Sequence, residues 1–273
     1  MLPNFLVIGV IKGATTSLYH YLNAHPEIYM APIKEARYFT YIDAKTEGNN
    51  FPVKNQEEYE SLFTGVTTEK AVGEATPGYF HTSSTAKRIY EHIPSAKLIL
   101  SLRNPVDRTY SDYLMRFRLG REQRPLIEAL KPGEPIVNCS MYQESLLRFM
   151  DLFGRDQIKV ILYDDIIINI RDVLRDLYLF LNVDPDFQPG LGIKYNVGGI
   201  ARNRLITTLS ANKFIRTIRP YVPSRFLRAI KHTTLKKAPP LPDEIRNSLK
   251  STFRNDILKT QAIINRDLSH WLS

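Results

Sequence analysis

This chain of 273 residues has one cysteine, Cys139, and one tryptophan, Trp271. A lone cysteine excludes an internal disulfide framework and fits a reducing compartment. Long apolar runs are missing too: none approaches the roughly 20 residues that cross a bilayer. The run from Phe5 to Ile11 is short, has no basic residue before it and is closed by Lys12, so it does not read as a signal peptide. A cytoplasmic location is the expectation, with peripheral membrane contact open. There is no internal repeat and no low-complexity tract. Acidic residues are absent from Phe187 to Pro242, where 11 Lys/Arg fall, and elsewhere 26 basic residues face 28 acidic ones. The whole net charge of +9 therefore arises in that segment. It reads either as a surface that meets an anion or as a merely solvated basic face.

What is there is 43% hydrophobic and 24% charged, a globular composition. Phe5 to Ile11 reads as a buried strand, then a Lys12-Gly13 turn, then a helix opened by Thr15-Thr16-Ser17. Glu27 to Met30 reads as extended, Tyr41 to Asn55 as a surface loop and Gln56 to Phe63 as a short helix. Ala71 to Phe80 reads as a strand entering a turn, and Ser83 to His92 as a helix. Lys97 to Arg103 is a second buried strand, after which Asn104-Pro105 supplies a cap and a first-turn proline. Residues 118–139 show little periodicity and read as irregular. Met141 to Phe153 follows as a helix, Gln157 to Tyr163 as a third strand, and Ile166 to Leu181 as one amphipathic helix. Basic helical pieces at 203–219 and 224–232 precede a closing helix that carries Ile245, Leu249, Phe253 and Ile257 on one face. The alternation predicts an α/β fold, three layers with a central parallel sheet, in a single domain over residues 1–273.

Two strand ends carry anion-binding chemistry. At the first, a glycine turn leads into a helix N-terminus, where unpaired amides and the helix dipole favour negative charge, and Lys12 adds a full positive one. The loop is P-loop-like but is not a Walker A sequence: Gly9 and Gly13 have its separation, yet Ala14-Thr15 stands where Lys-Ser/Thr should follow. At the second, Arg103 ends a strand and Ser111 lies two helical turns beyond Asn104. Ligands of open parallel sheets lie outside the strands' carboxyl ends, so one ligand with two separated phosphate-like groups fits both. Taken singly, each has a plainer reading, as a capped turn and as a structural ion-pair partner.

These motifs resemble the sulfotransferases that use 3′-phosphoadenosine 5′-phosphosulfate (PAPS), in the branch of the heparan-sulfate enzymes and their bacterial relatives. Gly9-Val-Ile-Lys12-Gly13-Ala14-Thr15-Thr16-Ser17 resembles the 5′-phosphosulfate loop. Leu102-Arg103-Asn-Pro105-Val-Asp-Arg108-Thr-Tyr-Ser111 resembles the 3′-phosphate motif. Between them, Lys34-Glu35-Ala-Arg37-Tyr-Phe39 and Gly73-Glu74-Ala-Thr76-Pro77-Gly-Tyr79 match in order and spacing. Tyr163-Asp164-Asp165 and Arg266-Asp267-Leu-Ser-His-Trp271 fit as well, so the resemblance covers nearly the whole chain.

The resemblance implies roles residue by residue. Lys12 would bind the phosphosulfate and neutralise charge on the leaving oxygen, with Gly13, Ala14, Thr15, Thr16 and Ser17 cradling the same group. Arg103 and Ser111 would hold the 3′-phosphate, and Gly199 and Arg202 would contact the 3′-phosphate or adenine side. Glu35 matches the general base, a role suited to a carboxyl whose partial burial raises its pKa toward neutrality. Arg37, Glu74 and Thr76 would face the acceptor. Glu-Ala-Arg-Tyr-Phe departs from the Glu-Pro-His-Phe-Phe common among relatives, which puts the acceptor's identity in question. The implied cosubstrate is PAPS, its product 3′-phosphoadenosine 5′-phosphate, and no metal is implied.

The implied acceptor is a hydroxyl or amine of a carbohydrate or glycolipid. Residues 203–237 alternate Phe214, Ile215, Ile218, Phe226, Leu227 and Ile230 with Lys/Arg, a pattern that can lie on an anionic membrane. Two other classes stay open. One is a magnesium-dependent kinase, disfavoured by the missing Walker lysine. The other is a basic module for nucleic acid, which leaves Glu35 and both strand-end sites unexplained and is not expected.

Overall fold

The computed structural model describes residues 1–41, 51–190, 200–201, 235–236 and 238–273. Its centre is a five-stranded sheet of β1 (Phe5–Gly9), β2 (Ile28–Met30), β3 (Ala71–Ala75), β4 (Lys97–Leu102) and β5 (Ile158–Leu162). The order is β2-β3-β1-β4-β5, and every pairing is parallel. β1 is buried at all five positions, as a central strand covered on both faces must be.

Side chains alternate across it. Phe5 and Val7 pack with Ile99 and Ile161 under α1 (Thr15–Asn23) and the later helix Ile170–Leu181. Leu6 and Ile8 pack with Leu98 and Leu100 on the other face. That second face is covered by α4 (Thr85–His92), α5 (Pro105–Arg118), α8 (Gln143–Phe153) and the closing helix α11 (Asp243–Ile264). Three layers result. Gly73 is what lets Phe5 lie across β3, since a Cβ there would come within 2.2 Å of the ring.

Several expectations change. β1 ends at Gly9 rather than Ile11, because Val10 already turns the chain and its carbonyl accepts from the Gly13 amide at 2.9 Å. The single helix read over Ile166 to Leu181 is two, α9 (Tyr163–Ile168) and α10 (Ile170–Leu181). Asn169 separates them: its backbone leaves the helical region, at φ −149°, and its side chain caps α10 through the Asp172 amide. Residues 118–139 hold two one-turn helices, α6 (Leu126–Ala129) and α7 (Pro135–Asn138), each opened by a proline. A further turn, α2 (Tyr38–Tyr41), follows the Lys34–Arg37 stretch, and α3 (Gln56–Ser61) is the expected short helix. β6 (Ile200–Ala201) and β7 (Leu235–Lys236) form a small antiparallel pair. The helical pieces expected at 203–219 and 224–232 lie outside the described residues, as do Gly199 and Arg202.

Because all five strands run the same way, their carboxyl ends share one edge. The chain leaves that edge through residues 10–14, 31–37, 76–78 and 103–104, and directly into α9. These are the stretches that carried the motifs.

Candidate active site

The loop after β1 is built from alternating backbone hands. Lys12 and Ala14 both adopt positive φ, 74° and 66°, on either side of Gly13, and the right-handed helix begins at Thr15. Such alternation turns successive amides into one concavity, a ready anion nest. No side chain caps the start of α1, where the Ser17 and Leu18 amides bond the Ala14 carbonyl at 2.9 and 3.1 Å. Gly13 lies so close to β4 that a Cβ would come within 2.4 Å of the Ser101 carbonyl. Thr15 is buried, whereas Thr16 and Ser17 are half-buried at the mouth.

The stretch after β4 is joined to this loop. The Arg103 guanidinium donates to the Lys12 carbonyl at 3.3 Å and lies 4.4 Å from the centre of the Tyr163 ring. Its own carbonyl accepts from the Tyr142 hydroxyl at 2.7 Å. Asn104 caps α5 through the Val106 amide, as its position before Pro105 predicts. Ser111 is half-buried on α5, and the Lys12 ammonium reaches the Met115 sulfur on the same helix at 3.9 Å. Arg108 was not evident as a core residue from sequence. It is fully buried, bonded to Ser140, the Ile136 carbonyl and Asp112, and reaches the Ile11 carbonyl at 3.5 Å. It holds the loop from beneath.

Glu35 stands at the same edge, tied to β3 by its amide, which donates to the Ala75 carbonyl at 2.9 Å. Its carboxylate meets Lys34 at 3.3 Å and Arg37 at 2.7 Å. Burial pushes its pKa up, but the Lys34 charge and the Arg37 bond and charge outweigh it, and the carboxyl is held below its ordinary value. That corrects the expectation of a raised pKa: two cations, not an apolar wall, face this group. Arg37 is half exposed and pairs with Glu35. Glu35 and Arg37 both have positive φ, 63° and 58°.

Glu74 and Thr76 were expected on the acceptor wall, and the structure places both beneath it, with 0% and 1% of their surface exposed. Thr76 donates to Glu74 at 2.9 Å and accepts from the Arg37 amide at 3.3 Å. Tyr59 donates to the other carboxylate oxygen at 3.4 Å, and Tyr79 is a further partner. Burial pushes the Glu74 carboxyl up to about 7 against these hydroxyl bonds. The raised carboxyl of this site is therefore Glu74. Tyr79 is core, with no exposed surface. His25 is a packing feature: its Nδ1 accepts from the Glu27 amide, so Nε2 carries the proton it donates to the Asp184 carbonyl at 2.9 Å.

Two features were less legible. Tyr163 underlies Arg103, and its motif had been noted without that role. The Arg266–Trp271 stretch returns to the strand edge: Trp271 and His270 both bond Asp164, at 2.8 and 3.1 Å, while Arg266 pairs with Asp165 at 3.0 Å. The Trp271 carbonyl accepts from Asn104 at 3.5 Å.

A family model described as sulfotransferase domain matches residues 2–191. A membrane-associated sulfotransferase of Dictyostelium discoideum, kil1, is 41% identical over 128 residues, 46% of this chain and 26% of that protein. Heparan sulfate glucosamine 3-O-sulfotransferase 5 of Mus musculus is 28% identical over 67% of this chain and 54% of its own length. This chain thus spans about a quarter to a half of these curated relatives. The crystal structure of a sulfotransferase from Alicyclobacillus acidocaldarius superposes over 100% of both chains, with TM-score 0.77 and 30% identity. Matched by the family model over most of its length and by that structure over all of it, the chain belongs to the sulfotransferase family.

Proposed function

We propose that this protein transfers a sulfuryl group from PAPS to a hydroxyl or amine of an acceptor, with a carbohydrate or glycolipid as the acceptor class. PAPS supplies an activated sulfuryl group whose leaving oxygen belongs to a 5′-phosphate, with a 3′-phosphate some distance away. The observation that carries the reading is the hydrogen bond from Arg103 to the Lys12 carbonyl, which sets two cationic anion sites side by side at one sheet edge.

The residues present fit such a ligand. The left-handed Lys12 and Ala14 and the uncapped start of α1 offer amides to the phosphosulfate, and Thr16 and Ser17 add hydroxyls at the mouth. Lys12 neutralises charge on the leaving oxygen, the kind of preorganised electrostatics that is usually the largest catalytic contribution. Arg103 and Ser111 hold the 3′-phosphate, with the Arg103 guanidinium set over the Tyr163 ring. Gly199 and Arg202 are assigned to the 3′-phosphate or adenine side from the motif alone.

Glu35 takes the acceptor proton. Paired with Lys34 and Arg37 it is a weak base, so an acceptor that draws Arg37 away strengthens it as it binds. The kinase alternative lacks its lysine position, and no observation favours the nucleic-acid reading. The basic stretch 203–237 is assigned to an anionic membrane surface, consistent with an amphiphilic acceptor. Incubation with radiolabelled PAPS and a panel of glycans and glycolipids tests the acceptor class: label in a saccharide-bearing product supports it, and label only in inorganic sulfate contradicts it. Flotation with anionic liposomes at low salt tests the surface, and absence of binding there removes it.

A further inference from the structure

Glu74 is fully buried, and the proposed chemistry gives it no part. A carboxyl taken out of water is costly unless its oxygens are bonded, and here Thr76, Tyr59 and Tyr79 supply the hydroxyls. The Lys34 charge favours its ionised form, and Tyr38 stacks on Tyr59 behind the cluster.

What the cluster does is visible one bond further on. The Thr76 hydroxyl has a single hydrogen. While that hydrogen is given to Glu74, a lone pair is left facing the Arg37 amide, which donates to it at 3.3 Å. The Glu35 amide is held beside it by the Ala75 carbonyl. Glu35 and Arg37 both occupy the left-handed region, which residues with side chains hold only where surrounding bonds impose it. The end of β3 provides those bonds, and Glu74 sets the direction of one of them.

We propose that Glu74 is a positioning residue: acting through Thr76, it locks the turn that presents Glu35 and keeps Arg37 against the Glu35 carboxylate, touching neither donor nor acceptor. This rests on the assignment of Glu35 as the base. A merely structural role would change global stability and leave this turn's local protection as it is.

The test compares wild type with Thr76→Val, Thr76→Ser and Glu74→Gln, using residue-resolved amide exchange at pH 8 and a carboxyl NMR titration of 13C-labelled glutamate through acid pH. In Thr76→Val the Arg37 amide is expected to exchange about tenfold faster, the factor for losing one hydrogen bond's net contribution. The Thr76 amide, bonded to the Val7 carbonyl, should not change. The Glu35 midpoint should rise toward the ordinary glutamate range as Arg37 loosens. Glu74→Gln should speed Arg37 exchange in the same way, and Thr76→Ser should restore wild-type values. If Thr76→Val fails to fold, Glu74→Gln carries the same exchange expectation. Unchanged Arg37 exchange in folded Thr76→Val or Glu74→Gln, or an unchanged Glu35 midpoint in folded Thr76→Val, overturns the proposal. Calorimetry with 3′-phosphoadenosine 5′-phosphate runs beside it. Affinity in the folded variants should match wild type, because the donor loop is untouched, whereas failure of wild type to bind defeats the proposed function and leaves the exchange result to be judged by itself.

Discussion

At the scale of single residues, two carboxyls at this site are displaced in opposite directions. Glu35 is lowered by Lys34 and Arg37 and is ionised at neutral pH without an acceptor present. Removing its carboxylate should reduce kcat by on the order of 10²- to 10⁴-fold, the usual worth of a general base. Glu35→Gln should therefore lose turnover while calorimetry shows donor-product affinity unchanged. Removing one cation has the opposite sign: in Arg37→Ala the Glu35 carboxyl rises, and the acid limb of the kcat/KM profile moves to higher pH. A limb that stays in place would show that Glu35 is not the titrating base. Glu74 is raised from 4.5 to about 7, so the folded protein holds that proton through a window in which the unfolded chain releases it. Its contribution to stability is fully present below the unfolded value and is lost as pH rises toward 7, on the order of 3 kcal/mol in all. Denaturant titrations between pH 4 and 8 should show this fall in wild type and a flatter profile in Glu74→Gln.

At the scale of elements, the site is a set of strand ends held by bonds from beneath. Gly13 has no room for a side chain against the Ser101 carbonyl, so Gly13→Ala must push the loop off β4. A destabilisation of about 1–3 kcal/mol, as for an overpacked core, should come with lost nucleotide binding, measured by chemical denaturation and calorimetry. Arg108 is a harder case. Truncating it to alanine leaves Asp112 buried, with only Arg116 beside it at 3.3 Å, and should cost about 3–5 kcal/mol in the same denaturation assay. Which elements would form was largely legible in sequence. The apolar runs of β1 and β4, the Asn104-Pro105 start and the stripe on α11 follow from period and capping alone. The break at Asn169 was harder to see, because the apolar period runs straight through it and only the asparagine's competing hydrogen bond interrupts the helix. The depth of Glu74, Thr76 and Arg108 was likewise hidden. A polar residue on a pattern reads as exposed unless its partners are known, and some of those partners lie outside its own segment: Tyr59 for Glu74, Ser140 and Ile136 for Arg108.

At the scale of the whole molecule, order along the chain becomes proximity through the parallel sheet. Motifs separated by roughly a hundred residues meet because every strand delivers its carboxyl end to one edge, with β1 at the centre between β3 and β4. The last residues return there as well: the Trp271 indole bonded to Asp164 and its carbonyl to Asn104 brace the segments that hold Arg103 and Tyr163. Among the described helices, none is long and apolar enough to cross a membrane. The membrane contact proposed for the basic segment should weaken steeply with salt. The central claim is that two anion sites at this edge bind one nucleotide carrying both a 5′- and a 3′-phosphate. The most direct measurement is calorimetric titration of the protein with 3′-phosphoadenosine 5′-phosphate, beside AMP and ATP–magnesium. Binding selective for the bisphosphate, weakened in both Lys12→Ala and Arg103→Ala, is the predicted result. Preference for ATP–magnesium, or bisphosphate affinity indifferent to both substitutions, would contradict it.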